Sequence, residues 1–319
     1  MASLAEMFGL SGQEGETFLG LPFCDDMAML AGGAAILGIA TATPYPSVGA
    51  YCADAPACLR AATAPYAANR GAMNFDLGGP VFPEGAPGAV DCGDLPIDPE
   101  NPAANRALIR GEIETLLARG AVPVVIGGDD SVPIPVLAAY EGRGPLTVLQ
   151  IDAHPDWRDE VGGERFGLSS TMRRASEMDH VARIIQVGLR GMGSARPGDW
   201  QAAQDWGARM VSGQDLAERG IAPALAAIPE GARAFVSLDV DALDPAIMPA
   251  VIGRTPGGMS YWQLVALLQG VAERAEIAGF ALVEFMPGRD IDGQGALVAS
   301  QILVNLLGLI ARQQAGGRR

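Results

Sequence analysis

The chain has 319 residues, of which 49% are hydrophobic, so it can bury a substantial core. Its formal charge at pH 7 is −15, from 37 acidic and 22 basic residues. Nucleic-acid binding needs a basic surface, so this charge argues against that class of function. The four cysteines have neither C-x-x-C spacing nor the density of a disulfide scaffold, which predicts reduced thiols in a cytoplasmic protein.

Two segments bear on secretion and membranes. Met1 to Thr17 lacks a basic stretch followed by an apolar one, so we expect no signal peptide. The longest apolar stretch, Ala296 to Ile310, contains polar interruptions and is shorter than the ~20 residues that span a bilayer. Because it is apolar on nearly every side, it predicts a helix buried between a sheet and a second surface, such as another subunit.

Apolar runs and helix signals alternate along the chain. Residues 34–40 predict a first core strand, and the Gly- and Pro-rich residues 74–90 predict a surface loop. Asn101 as a cap and Pro102 at the first position predict a helix over 101–120. The other predicted elements are strands at 122–126, 146–151, 184–189, 235–240 and 281–285, helices beginning near Asp54 and Ser131, a helix from Tyr261 to Arg274 opened by a Ser260–Gln263 capping box, and the C-terminal helix.

This alternation predicts an α/β fold. Strands that are apolar on both faces and alternate with helices indicate a mostly parallel sheet covered on both sides, with sites at the carboxyl ends of the strands. No composition shift or repeat divides the chain, so we expect one domain over residues 1–319, with residues 1–33 as an N-terminal extension.

A stretch of alternating polar residues follows the apolar run at 146–151. Asp152, His154 and Asp156 are two residues apart, and in an extended strand such residues point to one face. Asp239 and Asp241 end another apolar strand with the same spacing. Carboxylates buried at a strand end are costly without a cation. The two patterns therefore predict a site for two metal ions.

Three motifs in order resemble those of the ureohydrolase family of arginases and agmatinases. They are Gly127-Gly-Asp-Asp-Ser131, Asp152-Ala-His-Pro-Asp156 and the long motif from Ser237 through Pro245 to Gly258. The resemblance extends over about residues 34–312. It implies a three-layer α/β/α sandwich, which agrees with the predicted alternation of strands and helices.

The resemblance also implies a chemistry and a set of ligands. The family hydrolyses a guanidino carbon and releases urea, using two divalent ions, usually Mn²⁺, and a bridging hydroxide. By position, Asp152 and Asp239 would bridge the ions, Asp156 would complete one site, and His154 with Asp241 would complete the other. Ni²⁺ and Mg²⁺ are the alternative ions.

Two positions resemble or depart from the family pattern in ways that affect this site. Glu284 matches the family carboxylate that faces the guanidinium, a planar cation that calls for a bidentate acceptor. Asp130 stands where the family motif has a histidine ligand of the first metal. An aspartate can ligate, but an all-carboxylate site favours Mn²⁺ or Mg²⁺ over softer ions.

A second departure concerns proton transfer. Ser169 occupies the position of a family histidine assigned to proton transfer or substrate contact. The other histidine of the chain, His180, lies in a predicted helix end and is expected to be structural. A hydroxyl does not shuttle protons at neutral pH as an imidazole does, so Asp241, water or the substrate would protonate the leaving amine.

Three further residues have a functional and a structural alternative. Trp157 follows the ligand run where arginases have a polar residue, so it would either stack on a substrate cation or pack in the core. Arg173 and Arg174 would contact a substrate carboxylate or, as the favoured alternative, form surface or interface salt links. The missing arginase polar motif argues against L-arginine as the substrate.

The resulting hypothesis is a cytoplasmic, metal-dependent amidinohydrolase of the agmatinase-like branch. Its partners would be a small guanidino substrate and further copies of the chain, as trimers or hexamers, without nucleic acid or membrane. The alternative is a degenerate homologue that serves as a structural or regulatory subunit beside an active one, motivated by the histidines missing at 130 and 169. Hydrolysis of a formimino or ureido group is a third option.

Overall fold

The computed structural model describes residues 17–192 and 195–316. Met1 to Glu16, the main part of the segment without a signal-peptide pattern, lies outside the described residues. Within the described part, residues from Phe18 onward pack on the body of the protein. The backbone N–H of Phe18 donates to Asp91 at 2.7 Å, and Phe23 forms a parallel bridge with the same residue. The predicted extension is thus attached to the sheet along residues 17–33.

Eight parallel strands form one sheet in the order β2-β1-β3-β8-β7-β4-β5-β6. In chain order they are Ala34–Ile39 (β1), Ala89–Asp94 (β2), Val122–Gly127 (β3), Leu146–Ile151 (β4), Val181–Leu189 (β5), Arg209–Ser212 (β6), Arg233–Asp239 (β7) and Glu276–Val283 (β8). Six of these match predicted strands. The strand β2 and the short strand β6 were missed, and β2 overlaps the end of the predicted loop.

The described α-helices cover both faces of the sheet. They are Ala55–Thr63 (α1), Pro102–Ala118 (α2), Pro133–Ala138 (α3), Thr171–Ala175 (α4), Pro197–Trp206 (α5), Gly213–Arg219 (α6), Ala222–Ala227 (α7), Tyr261–Arg274 (α8) and Gln294–Ala315 (α9). Asn101 caps α2 and the Ser260–Gln263 capping box opens α8, as predicted.

Alternate residues of each strand enter two separate cores. On β1, Ala34 and Ile36 pack with α1 and with α6 to α9, whereas Ala35, Leu37 and Ile39 pack with α2 to α5. Side chains two residues apart share a face, so one strand supplies both cores. This arrangement confirms the predicted α/β/α sandwich.

The C-terminal helix α9 is the predicted apolar helix. By length and composition it is the described helix that resembles a membrane span, but 72% of its most apolar window is buried inside the fold. Its burial is confirmed. The contacts that bury it are made within this chain, with α1 and α8. Its apolar character therefore no longer argues for a subunit interface.

We predict that Gly279→Ala lowers the free energy of unfolding by about 1–3 kcal/mol, because the added Cβ would clash with the Tyr140 hydroxyl and the Phe235 ring inside the core. Chemical denaturation measures the change. Gly111→Ala is the matched control, because nothing lies near its added Cβ on an exposed part of α2, and it should stabilise by about 0.5–1 kcal/mol. Equal effects of the two variants would contradict this account of the core.

Candidate metal centre

Four of the predicted site residues lie at the carboxyl ends of four adjacent strands. The strands β3, β8, β7 and β4 are neighbours in the sheet. Asp130 follows β3, Glu284 follows β8, Asp239 ends β7 and Asp152 follows β4, and all four side chains are buried. Parallel strands place these ends at one edge, so residues far apart in sequence come together there.

Two overlapping groups of side chains have the spacing of metal ligands. Asp130, Asp152 and Asp156 form the first, called here the oxygen group, and Asp152, His154 and Asp241 form the second, called the mixed group. Within each group, one ligand atom per residue lies within 4.8 Å of the others. Because Asp152 belongs to both, the groups adjoin each other.

Asp239 lies beside these groups without belonging to either. Its Oδ1 accepts the backbone N–H of Asp241 at 2.7 Å. Burial raises the pKa of Asp239 well above its usual range, and the neighbouring charges of Asp241 and Asp152 raise it further. Its predicted bridging role stays a prediction.

Asp130 has a fixed backbone and an unpartnered side chain. Its N–H donates to Glu284 Oε1 at 2.9 Å, and its carbonyl accepts the Thr171 hydroxyl. Both carboxylate oxygens are buried and have no hydrogen-bond partner among the described residues. Burial, reinforced by Asp156 and Asp152, raises the pKa of Asp130 well above its usual range. A buried carboxylate in this state requires a proton or a cation.

His154 supplies positive charge to the mixed group. Its Nδ1 lies 2.9 Å from Asp241 Oδ2 and 3.5 Å from Asp152 Oδ1. Burial by itself lowers the pKa of His154, but the two carboxylates outweigh it and raise the pKa to about 11. One imidazolium cannot balance the acids of both groups. The unpartnered Asp130 oxygens and this excess of acidic groups fit the binding of cations at the two groups.

A chain of polar side chains behind the site holds Asp152 and Asp156. Gln150 Nε2 donates to Oδ2 of both aspartates at 2.7 Å. The Gln186 amide donates to Gln150 Oε1 at 2.5 Å, and its own Oε1 accepts the indole N–H of Trp157 at 2.9 Å. Such outer contacts fix the orientation of metal ligands. Sequence reasoning missed both glutamines, although a polar residue within each apolar strand was the available signal.

Trp157 therefore lies in the core, where it is 2% exposed and packs against Trp206 with ring centroids 6.1 Å apart. Of the two alternatives, the structure supports packing. The indole N–H is used inside the protein, so the expected stacking on a substrate cation is not supported. Trp157 therefore no longer argues against L-arginine as the substrate, and only the missing arginase polar motif still does.

Glu284 faces the oxygen group from the end of β8. The Tyr51 hydroxyl lies 2.7 and 2.6 Å from its two carboxylate oxygens, a contact that no sequence motif indicated. Burial and the nearby charge of Asp129 raise the pKa of Glu284 to about 8. Glu284 and Asp156 both have positive φ, at 67° and 49°. Backbone strain of this kind concentrates at functional sites.

Ser169 and His180 lie outside both ligand groups. Ser169 is half-buried in the 3₁₀ turn Leu168–Ser170, beside the Tyr45 phenol. The ring Nε2 of His180 lies 2.9 Å from the Leu137 carbonyl oxygen, which supports the predicted structural role. The structure thus brings no second imidazole to the site.

Arg173 and Arg174 form salt links, as favoured. Arg174 is buried and pairs with Asp159 at 2.7 Å and Glu177 at 3.0 Å, and Arg173 lies 3.3 Å from Glu177. These contacts stabilise α4 and the loop before it.

We predict that Trp157→Phe weakens divalent-ion binding by roughly 10–100-fold, because it keeps an aromatic ring but removes the N–H that orients Gln186 and, through it, Gln150. Calorimetric titration of the metal-free protein with Mn²⁺ measures the effect. Trp206→Phe is the matched control: its N–H donates to the Ser176 carbonyl instead, so its metal affinity should stay near that of the wild type. Equal losses in the two variants would refute a role for the glutamine chain.

Comparison with known proteins agrees with this geometry. The chain is 29% identical over 250 residues to a guanidinobutyrase of Pseudomonas aeruginosa, covering 76% of this chain and 75% of that protein. It is 32% identical over 232 residues to a guanidinopropionase of the same organism, covering 70% and 72%.

The fold also matches solved structures. The structure of proclavaminate amidino hydrolase from Streptomyces clavuligerus superposes with a TM-score of 0.82 at 25% identity, covering 94% of this chain and 98% of that one. Residues 33–308 match the arginase family. The chain therefore belongs to the arginase family.

Proposed function

We propose that this chain is a binuclear-metal amidinohydrolase that converts a linear guanidino compound to urea and an amine. The observation that carries the proposal is the pair of ligand groups sharing Asp152, beside the carboxylate of Glu284. The names of the relatives, which include a guanidinobutyrase and a guanidinopropionase, support the substrate class. The four cysteines, which have neither C-x-x-C spacing nor the density of a disulfide scaffold, support a cytoplasmic location.

The metal ions proposed for this site are Mn²⁺, with Ni²⁺ and Mg²⁺ as alternatives, because its donors are mainly carboxylate oxygens. When bound, two such ions supply a hydroxide nucleophile near neutral pH and polarise the carbon it attacks. Asp130, Asp152 and Asp156 would hold one ion, and Asp152, His154 and Asp241 the other, with Asp239 proposed to complete the pair.

Glu284 is proposed to bind the guanidinium. Its two oxygens accept parallel N–H donors, which fixes the plane of the substrate. The Asp130 N–H and the Tyr51 hydroxyl orient the carboxylate before the substrate arrives. Ordering the acceptor in advance reduces the entropy lost on binding.

Asp241 is proposed to carry the proton to the leaving nitrogen. Its Oδ1 accepts the Ala153 N–H at 3.1 Å, and its Oδ2 contacts His154. As the C–O bond forms and the C–N bond breaks, the proton released by the attacking water passes to the amine. Ser169 has no titrating group near neutral pH and serves in this proposal as a polar contact only.

The substrate is proposed to be an agmatine-like compound, a short chain with a terminal guanidino group. A panel of agmatine, guanidinobutyrate, guanidinopropionate and L-arginine, read as urea release, tests this. L-Arginine as the preferred substrate would contradict the agmatine-like branch. Ammonia or formamide release without urea from formimino compounds would instead support the third option.

We predict that Asp239→Ala abolishes both metal retention and urea release, because it removes a buried carboxylate beside the two groups that is proposed to bridge the ions. Metal content per chain and a urea assay on the same sample measure the two losses. Asp179→Ala, an exposed change far from any ligand group, should keep both. Urea release that persists in Asp239→Ala would contradict this mechanism.

We predict that Glu284→Gln keeps both ions but reduces kcat/KM by about 10²–10³, since a neutral amide cannot pair with the guanidinium at two acceptors. Steady-state kinetics with metal analysis separate this outcome from loss of ions. A variant with normal kcat/KM would remove Glu284 from substrate binding.

The second candidate is an inactive subunit of a heteromeric enzyme. The observation that favours it is the absence of an imidazole at positions 130 and 169. Of the two histidines of the chain, His154 belongs to the mixed group and His180 contacts the Leu137 carbonyl. Urea release by the isolated chain would refute it. Activity that appears only when an active homologue is added would support it, and light scattering would show whether the isolated chain forms the proposed trimer or hexamer.

A further inference from the structure

The two ligand groups differ in the chemistry of their donors. The oxygen group offers carboxylates alone, from Asp130, Asp152 and Asp156. The mixed group offers two carboxylates, from Asp152 and Asp241, and the imidazole of His154. Three carboxylates carry a formal charge of −3, against −2 for two carboxylates with a neutral imidazole. The two positions are therefore unequal in both hardness and charge.

The two groups differ in which potential metal-ligating atoms are already engaged in hydrogen bonds. In the oxygen group, Gln150 takes one oxygen each of Asp152 and Asp156, whereas both oxygens of Asp130 stay buried and unpartnered. Asp130 is thus the free donor of that group. In the mixed group, the ring nitrogen of His154 faces Asp241 and is available once a cation replaces its proton.

We propose that the two positions select different ions, so that the chain assembles a mixed pair. The oxygen group takes a hard ion such as Mn²⁺ or Mg²⁺, and the mixed group takes a nitrogen-preferring ion such as Zn²⁺ or Ni²⁺. This inference rests on the proposed binuclear function and adds to it the identity of each ion.

The physical basis is the match between donor and ion. Carboxylate oxygens suit Mg²⁺ and Mn²⁺, whereas imidazole suits Zn²⁺ and Ni²⁺, which also bind N/O sites more tightly than Mn²⁺ does. A single imidazole therefore raises the preference for Zn²⁺ over Mn²⁺ at its own position and leaves the all-oxygen position less selective. Because residue 130 is an aspartate, the oxygen group has no nitrogen ligand.

Stepwise metal displacement tests this proposal. The protein is loaded with Mn²⁺, excess ion is removed, Zn²⁺ is titrated in, and released Mn²⁺ is measured by its electron paramagnetic resonance signal. The wild type should release Mn²⁺ in two phases separated by about tenfold or more in Zn²⁺ concentration. At the plateau between the phases, mass spectrometry should find both metals on the same chain, and the bound Mn²⁺ should give the signal of an isolated ion.

Two variants assign the phases. Asp130→His puts an imidazole into the oxygen group, so the second phase should move toward the first. Asp130→Asn removes the charge without adding an imidazole, because the amide ligates through its oxygen, so it should weaken binding of the late-displaced Mn²⁺ and leave the first phase unchanged. Asp179→His, which adds an imidazole at an exposed position, is the control and should keep both phases.

Each failure has a distinct meaning. A single phase in the wild type, or two phases that neither Asp130 variant alters, would overturn the mixed pair while leaving a binuclear site intact. A folded wild-type chain that retains neither Mn²⁺ nor Zn²⁺ would overturn the proposed function and the mixed pair together.

Discussion

The buried carboxylates at one edge of the sheet impose the constraint on which this structure depends. Asp130, Asp152, Asp156, Asp239 and Glu284 are all raised in pKa, first by burial and then by one another or by neighbouring acids. Like charges this close are unfavourable in a protein interior unless protons or cations compensate them. One positive charge on His154 would not compensate all of these acids, and the metal ions proposed for the site would relieve the remaining repulsion.

The sheet topology explains how the chain reaches this arrangement. The ends of β3, β8, β7 and β4 adjoin although β3 and β8 lie about half the chain apart. Four strands buried on both faces form a rigid edge, and the proposed ligands lie at the ends of these strands or in the loops after them. Behind that edge, the paired residues Gln150 and Gln186 on β4 and β5 connect the ligands to Trp157 in the core. The apolar core thus sets the orientation of the charged site.

The residue proposed to bind the substrate, Glu284, lies at the same edge. Glu284 is held by a backbone N–H of Asp130, so a ligand of the oxygen group and the proposed substrate acceptor share one contact at 2.9 Å. The hydroxyl of Tyr51, from the loop before α1, contacts both oxygens of the same carboxylate. A shift of Asp130 on metal binding would therefore reach Glu284 directly. The Asp130–Glu284 hydrogen bond would thus link the proposed metal site to the proposed guanidinium site.

The sequence predicted what repeats along the chain and missed what depends on contacts across it. The strands β4 and β7 are apolar on both faces, with Asp152 directly after one and Asp239 at the end of the other, so the placement of these aspartates was predictable. The strand β2 contains Asp91 and Gly93 next to a Gly-Pro segment, and β6 has four residues, so neither shows an apolar run. The positions of Gln150, Gln186 and Tyr51 relative to the ligands follow from strand register and loop packing, which no spacing in one sequence records. Trp157 illustrates the same limit, because its position after Asp156 left both a substrate contact and core packing open, and the structure places the indole in the core.

The most direct measurement is anomalous X-ray diffraction at the Mn edge from crystals of the protein loaded with Mn²⁺ alone. We expect two peaks about 3.5–4 Å apart, one at the oxygen group and one at the mixed group. A single peak, or none, in a folded and Mn²⁺-saturated crystal would contradict the binuclear site and with it the proposed hydrolysis.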